Sequence, residues 1–346
     1  MQSDWQAHLV KHHANINDNM VIDFGQPESE LKAVTGNILT DLNHYGLIRA
    51  EGADATDFLQ NQFSNDVRCV SADKSQLNAY CSAKGRILAS FRLFYLQDKY
   101  FLEFPQTLIE PTLKRLRMYV LRSQVILDNA SDSLARMGLA GPDSEQYIGD
   151  CGLACPAEID EASQTGNILV LRIPGPGPRF ELHGPVAELI SLWDKLADKA
   201  TAVGANTWSL LDIQSGVPVI QEQTVESFVP QMVNLELING VSFKKGCYPG
   251  QEIVARMQYL GKLKKRMYRA HVDSVSAIQP GEALFSGSSD NTQSIGNIVN
   301  AYISPNGGYD VLAVIQITEA DTGKVRLGDK NGSILEINEL PYSLSA

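Results

Sequence analysis

The stretch Gly240–Arg256, which reads GVSFKKGCYPGQEIVAR, carries the densest pattern in the chain. Gly246 and Gly250 bracket Cys-Tyr-Pro, a spacing that predicts a tight turn presenting the thiol of Cys247. Apolar residues recur at helical spacing after this turn, so we expect a helix to follow it. Val241–Phe243, before the turn, is predicted to end a strand.

Cys247 therefore precedes a helix N-terminus and follows two cations, Lys244 and Lys245. A helix N-terminus and nearby ammonium groups favour a thiolate over a thiol. The thiol is thus a candidate nucleophile, redox centre or metal-cluster ligand. The alternative is an inert core residue, because free cysteines are often buried as small apolar groups.

The charge distribution is uneven along the chain. The 346 residues carry 29 basic and 40 acidic side chains, a net charge of −11, which argues against a protein that wraps nucleic acid. Lys244–Arg269 holds eight basic residues and one acid, so it carries +7 and leaves −18 elsewhere. Such a segment suits phosphate, a polyglutamate tail or an RNA backbone, or it is simply a solvated face.

Composition bounds the class of protein. With 44% hydrophobic and 20% charged residues, the chain is typical of folded globular proteins. It has no apolar run of about 18 residues and no secretory signal, so no membrane span is expected. The odd number of cysteines, five, indicates reduced thiols and a cytoplasmic location.

No metal site is predicted. His8 and His12 stand four residues apart, as helical metal ligands do, but no third ligand lies near them in the sequence. Cys151 and Cys155 have no neighbouring histidine or second cysteine pair, which makes them a poor site as well.

The periodicity divides the chain into three parts. Residues 1–40 are expected to form a partly ordered extension with one short helix. Residues 41–262 alternate strand and helix patterns, including strands at Tyr45–Glu51 and Ile87–Leu96. Residues 263–346 show short strand patterns separated by turn residues, which predicts an all-β domain, a small barrel.

KKGCYPGQEIVAR resembles the K-G-C-Y-x-G-Q-E signature of the YgfZ family, folate-binding proteins related to the T-protein (aminomethyltransferase) of the glycine cleavage system. The residues that match the signature are Lys245, Gly246, Cys247, Tyr248, Gly250, Gln251 and Glu252. The likeness continues in Ala83–Arg86, Tyr119–Ser123, Trp208 and Pro341–Leu344, and it covers about residues 41–346.

The resemblance implies an α+β, T-protein-like fold: two intertwined α+β lobes and a C-terminal antiparallel β-barrel around a central folate-binding opening. It also implies a tetrahydrofolate-binding accessory protein for the assembly or repair of iron–sulfur cluster enzymes, including those that modify tRNA. The expected partners are folate and iron–sulfur client proteins, and Cys247 is the residue most tied to the activity.

Folate contacts are assigned by the same resemblance. Trp208 matches one of two folate-contacting tryptophans, and Tyr45 stands at the other position, where it could stack on a flat ring. Arg86, Arg122 or the motif lysines could hold the carboxylated tail.

The sequence leaves the roles of three polar residues of the motif helix undecided. Gln251, Glu252 and Arg256 are either site groups or ordinary helix-surface residues, since Glu252 favours a helix N-terminus and pairs with Arg256 at i,i+4.

One departure from the T-protein pattern bears on the reaction. T-proteins carry an acidic pair in the hairpin after the K-G position, whereas residues 84–97 here read KGRILASFRLFYLQ, with no acid. Without that carboxylate, a conventional aminomethyltransferase is disfavoured. A folate-dependent one-carbon transferase and a tRNA-binding subunit that uses Lys244–Arg269 remain the alternatives.

Overall fold

The structure is a computed structural model that describes residues 1–287 and 293–344, so the predicted third part, 263–346, runs beyond the described residues at its end. The chain forms two compact units, each built from separate stretches. Unit 1 comprises residues 1–58, 68–76 and 92–211, and unit 2 comprises residues 59–67, 77–91 and 212–346. Among the described residues, no helix is both long and apolar enough to cross a membrane.

The α-helices are short, and their bounds are α1 Ser3–Lys11, α2 Pro27–Lys32, α3 Ala55–Gln60, α4 Ile109–Arg117, α5 Ser144–Asp150, α6 Val186–Leu196, α7 Ala205–Gln214, α8 Gln251–Tyr259 and α9 Ile317–Ala320. The strands before the C-terminal sheet are β1 Asn15–Asn17, β2 Met20–Asp23, β3 Ile38–Asp41, β4 Tyr45–Glu51, β5 Gln76–Cys81, β6 Ile87–Leu96, β7 Lys99–Pro105, β8 Ile126–Asn129, β9 Ala135–Ala140, β10 Ala162–Thr165, β11 Ile168–Arg172, β12 Arg179–Gly184 and β13 Thr201–Val203.

The first large sheet belongs to unit 1 and has the strand order β10-β11-β12-β9-β3-β13, antiparallel except for the parallel pair β13–β3. One face of its central strands contributes Met137, Leu139, Phe180 and Leu182 to an apolar core. A second sheet has the order β5-β6-β7-β4-β8, and the boundary between the units cuts β5 and β6.

The C-terminal part of unit 2 is a six-stranded antiparallel sheet of β14 Lys265–Val272, β15 Ala283–Ser286, β16 Gly296–Ile303, β17 Tyr309–Gln316, β18 Val325–Leu327 and β19 Leu335–Asn338. Its order is β18-β15-β16-β17-β14-β19, and a bridge between Arg326 and Ile334 links the two edges. The sheet therefore curls into a half-barrel around its own apolar core.

The first 40 residues differ from the sequence prediction. They form α1, the hairpin β1–β2, α2 and β3, and Trp5 and Leu9 of α1 are buried in the apolar core of unit 1. The prediction of a partly ordered extension is wrong, because Trp5 and Leu9 share one face of α1 and Trp5 Nε1 donates to Asp41 Oδ1 at 2.7 Å.

Candidate functional site

The motif turn is built by close backbone packing within unit 2. Gly250 has a φ of 82° and is the N-cap of α8, the helix predicted to follow the turn, which begins at Gln251. A Cβ on Gly250 would lie 2.4 Å from the carbonyl oxygen of Ser82 and 2.6 Å from Cα of Gly85, so only glycine allows the turn to approach the Ala83–Arg86 hairpin. A Cβ on Gly246 would meet no described atom within 4 Å.

The segment before the turn is irregular, so the predicted strand end at Val241–Phe243 is wrong. It is held to the loop after α3 by individual hydrogen bonds and not by strand pairing. Ser242 N–H donates to Ser64 O at 3.0 Å, and Ser64 Oγ donates to Gly240 O at 2.8 Å.

Lys245 is a structural anchor for this turn. Its side chain is buried, and its ammonium donates to the carbonyl oxygens of Gln60, Phe63 and Asn65 at 2.6, 2.6 and 2.8 Å. An ammonium has three N–H donors, and all three are used here. The positive charge therefore serves the C-terminal end of α3 and not an exposed anion site.

The other motif residues divide between exposed and buried. Cys247 is exposed, whereas Tyr248 is buried beside Lys245, whose Nζ lies 5.3 Å from the ring centroid. Burial raises the pKa of the Tyr248 hydroxyl, so it stays protonated. Gln251 is half-buried, with Nε2 3.5 Å from the carbonyl oxygen of Lys245, and Glu252 and Arg256 are exposed.

The basic segment Lys244–Arg269 has fewer exposed cations for binding an anion than its sequence charge of +7 indicates. Lys245 is buried, Arg266 pairs with Glu236 at 2.7 Å, and Arg269 Nη1 lies 3.4 Å from the carbonyl oxygen of Gln214. The exposed cations are Lys244, Arg256, Lys262 and Lys264. Two apolar side chains at the end of α8, Tyr259 and Leu260, are 68% and 84% exposed beside them.

The candidate tail-binding arginines lie on different units. Arg86 belongs to unit 2, where its Nη1 donates to Ser227 O at 2.6 Å. Arg122 belongs to unit 1, is exposed, and lines a surface groove of about 720 Å³ with Tyr119 and Leu121.

Trp208 lies in the interior of unit 1. Its side chain is fully buried, and the guanidinium carbon of Arg179 lies 4.1 Å from the ring centroid. A Cβ on Gly138 would come within 2.6 Å of Cη2, so the glycine makes room for the indole. Trp208 Nε1 has no hydrogen-bond partner within the described part of the chain.

A buried set of charged side chains in unit 1 includes Arg179, which covers this indole. We call it the polar layer, and its members are Glu103, Arg136, Arg179, Glu181 and His183. On β9 and β12, Glu181 is opposite Gly138 and His183 is opposite Arg136, so these side chains share the sheet face that the apolar core does not use.

Several oxygens of the polar-layer carboxylates lie beyond hydrogen-bond distance of the nearest described cations. Glu103 lies 3.6 Å from His183 Nε2 and 3.8 Å from Arg136 Nε, and Glu181 Oε2 lies 3.9 Å from His183 Nε2. These distances exceed hydrogen-bond length. Glu181 Oε2 and both ring nitrogens of His183 have no hydrogen-bond partner among the residues described, an unusual state for buried polar atoms.

The surroundings shift the pKa values of the two buried acids, Glu103 and Glu181, in opposite directions. Burial, and then the charge of Glu181, raise the pKa of Glu103 well above its usual value. Burial acts the same way on Glu181, but His183, Arg92 and Arg179 outweigh it and lower the pKa of Glu181. These opposite shifts favour the charged form of Glu181 over that of Glu103, and burial also lowers the pKa of His183, which favours its neutral imidazole.

Tyr45 borders the polar layer. It is half-buried, its carbonyl oxygen accepts from Arg136 Nη2 at 3.0 Å, and its ring lies 4.2 Å from the ring of His44. Both ring nitrogens of His44 are shielded from solvent. Burial, together with the charge of Arg136, lowers the pKa of His44 to about 3.

Sequence reasoning missed the polar layer. Arg179, Glu181 and His183 alternate with Phe180 and Leu182, a pattern that is typical of a strand with one solvated face. The available signal was Gly138, since glycine inside a strand often marks a close approach by another group.

Comparisons with known proteins give the class first. A family model described as the GCVT N-terminal domain matches residues 20–161. The crystal structure of glycine cleavage system aminomethyltransferase T from Bartonella henselae superposes with a TM-score of 0.77, covering 97% of this chain and 96% of that one at 16% identity. The fold is therefore that of the T-protein class, an α+β fold as predicted.

The family follows from closer relatives. The chain is 31% identical over 307 residues to tRNA-modifying protein YgfZ of Yersinia pestis (strain Pestoides F), covering 89% of this chain and 93% of the relative. The same values hold for tRNA-modifying protein YgfZ of Yersinia enterocolitica serotype O:8 / biotype 1B (strain NCTC 13174 / 8081). The chain belongs to the YgfZ family.

Proposed function

We propose that this chain is a tetrahydrofolate-binding accessory protein that supports the assembly or repair of iron–sulfur enzymes, including enzymes that modify tRNA. The name of its relatives, tRNA-modifying protein, and the T-protein fold support this proposal. The observation that carries it is the polar layer, where Glu181 Oε2 and both ring nitrogens of His183 have no hydrogen-bond partner among the described residues. Five free cysteines are consistent with a cytoplasmic location.

The chemistry of the polar layer suits a reduced pterin. A pterin is a flat ring with an amino group and a ring N–H along one edge and a carbonyl oxygen beside them. The ionised carboxylate of Glu181 would accept from the donor edge, as buried carboxylates need donors. Trp208 would contribute its Nε1–H and hold Arg179, whose guanidinium covers the indole face.

The remaining folate contacts are assigned by residue type. Tyr45 offers an aromatic ring at the border of the polar layer, and a cation, the half-buried Arg86 or the exposed Arg122, would hold the carboxylated tail. Cys247 is the proposed reactive group, a nucleophile, redox thiol or shared cluster ligand. Lys245 and Gly250 would fix the turn that keeps this thiol accessible.

Folate binding is tested by calorimetric titration of 5-formyltetrahydrofolate, together with tryptophan fluorescence. Trp5 and Trp193 lie together in the apolar core of unit 1, so Trp193→Phe is the matched control for Trp208→Phe. We expect Glu181→Gln and Trp208→Phe to lose most binding, and Trp208→Phe to lose the folate-dependent quenching. Unchanged binding in both variants, with melting temperatures near that of the parent protein, would remove the polar layer as the folate site.

The role of Cys247 is tested separately, by measuring iron–sulfur enzyme activity in cells that depend on this protein. Cys69 and Cys155 are also exposed, so Cys69→Ser and Cys155→Ser are matched controls for Cys247→Ser. We expect only Cys247→Ser to lose function. Full function in that variant would exclude thiol chemistry at the motif.

The exposed end of α8 supports a second, compatible activity, direct contact with tRNA. Tyr259 could stack on a base while Arg256 and Lys262 meet phosphates. Binding should weaken steeply with salt, and Tyr259→Ala should reduce it in a gel shift. Absence of a shift at low salt would eliminate this contact.

The alternative of a one-carbon transferase is not favoured, because β6 (Ile87–Leu96) carries no acidic side chain. Formaldehyde release from an N-methyl or aminomethyl substrate, dependent on folate, would establish that reaction instead.

A further inference from the structure

The N-terminal helix brings together three side chains that the sequence keeps far apart. His8 lies on α1, His12 is its C-cap, and Asp194 lies on α6. Their ligand atoms all lie within 4.8 Å of one another. Asp194 is far from His8 and His12 in the sequence and lies beside them because α6 packs against α1.

The distances from both imidazoles to the carboxylate match the ligand spacing of a tetrahedral metal site. His12 Nε2 lies 3.2 Å and His8 Nε2 lies 3.5 Å from the same carboxylate oxygen, Asp194 Oδ1. Ligands held about 2.0–2.1 Å from a tetrahedral zinc ion lie about 3.3–3.4 Å apart. Asp194 Oδ1 therefore stands at this spacing from both imidazoles, and all three ligand atoms are close enough to share one cation.

His8 gives a second, independent indication. The residue is only 7% exposed, and its Nε2 has no hydrogen-bond partner among the described residues although it faces Asp194. A buried ring nitrogen normally has a partner. A metal ion would supply one, and the half-buried His12 and exposed Asp194 leave the opposite side open to solvent.

The surroundings hold the ligands in place. The ring of His8 stacks on Trp5 at 5.9 Å, and Trp193, next to Asp194, contacts Trp5 edge-on at 5.6 Å. Both tryptophans are buried, so the backbones that carry the ligands are fixed by a packed aromatic cluster.

We propose that His8, His12 and Asp194 form a site for a divalent transition metal of the zinc class, completed by water and joining α1 to α6. Two imidazoles and one carboxylate suit Zn²⁺, and they leave at least one coordination position open. The site belongs to unit 1 alone and does not depend on the proposed folate site.

The test is a calorimetric titration of Zn²⁺ into the full chain after treatment with a chelator. We expect one strong site in the parent protein and its loss in His12→Gln and in Asp194→Asn, whose side chains are 32% and 57% exposed. His13→Asn is the matched control, because His13 is adjacent, exposed and outside the cluster, and its φ of 70° suits asparagine. Zinc should raise the melting temperature of the parent and of His13→Asn only.

Cobalt separates this site from the cysteines. A site made of nitrogen and oxygen ligands gives only weak visible bands with Co²⁺, whereas thiolate ligands add strong ultraviolet charge-transfer absorption. Visible bands without thiolate absorption, lost in His12→Gln, are expected. The proposal is overturned if the parent binds no zinc, or if His12→Gln and Asp194→Asn bind as the parent does while all variants unfold at the same temperature in chelator.

Discussion

The motif turn of unit 2 and the polar layer of unit 1 both bury charged groups, but they differ in how completely these groups are hydrogen-bonded. The ammonium of Lys245 has a carbonyl oxygen for each of its three protons. Glu181 and His183 of the polar layer are also buried, and Glu181 Oε2 and both ring nitrogens of His183 have no partner within the part of the chain that the structure describes. A fully bonded charge stabilises a fold, whereas an unsatisfied one costs free energy unless a ligand completes it.

The largest expected effect concerns the motif turn and tests whether its fully hydrogen-bonded ammonium stabilises the fold. Lys245→Met removes three charge-assisted hydrogen bonds and leaves three carbonyl groups with fewer donors, so the free energy of unfolding should fall by about 3–5 kcal/mol. Urea unfolding measures this. Lys244→Met, at an exposed neighbour, should change it by less than about 0.5 kcal/mol. Equal stabilities would mean that Lys245 is not an anchor.

The two motif glycines give the next effect. Gly250→Ala forces a left-handed residue to carry a Cβ against the backbone of Ser82 and Gly85, and should cost about 2–4 kcal/mol. Gly246→Ala meets no described atom and should be close to neutral. Thermal unfolding of the two variants compares them directly, and a neutral Gly250→Ala would contradict the close approach of the turn to the hairpin.

The smallest of the three effects concerns acid pH beside the polar layer. His44 has a pKa of about 3 in the folded chain but about 6.5 when unfolded, so below about pH 6.5 the unfolded state binds a proton that the folded state does not. Stability should therefore fall as pH falls, by about 2 kcal/mol from this group between pH 6 and pH 4. Urea unfolding at several pH values should show a shallower slope for His44→Gln, and identical slopes would show that His44 does not titrate in this way.

Much of the fold was predictable because it depends on local patterns. The strands Tyr45–Glu51 and Ile87–Leu96 have the predicted bounds, since alternation and flanking turn residues specify them. The short strand Val325–Leu327 and the one-turn helix Ile317–Ala320 were not predicted, because so few residues carry no periodic signal.

Only the part of the candidate site that is formed by consecutive residues could be predicted from the sequence. The Gly240–Arg256 stretch predicts its own turn and helix. The burial of Lys245 could not be predicted, because it depends on carbonyl groups 180–185 residues away in the sequence. The polar layer escaped prediction for a related reason. An alternating charged strand such as Arg179–Gly184 is buried on both faces only because a second set of side chains, including Glu103, covers it.

The division of the chain into interleaved stretches has a consequence for synthesis. Residues 59–67 and 77–91 belong to unit 2, yet the rest of that unit begins at residue 212. At a synthesis rate of about 5–20 residues per second, the ribosome needs about 10–40 s to travel from Gln60 to Lys245. During that interval the early stretches emerge without the lysine that fastens them, so a nascent chain has an interval in which chaperones could act.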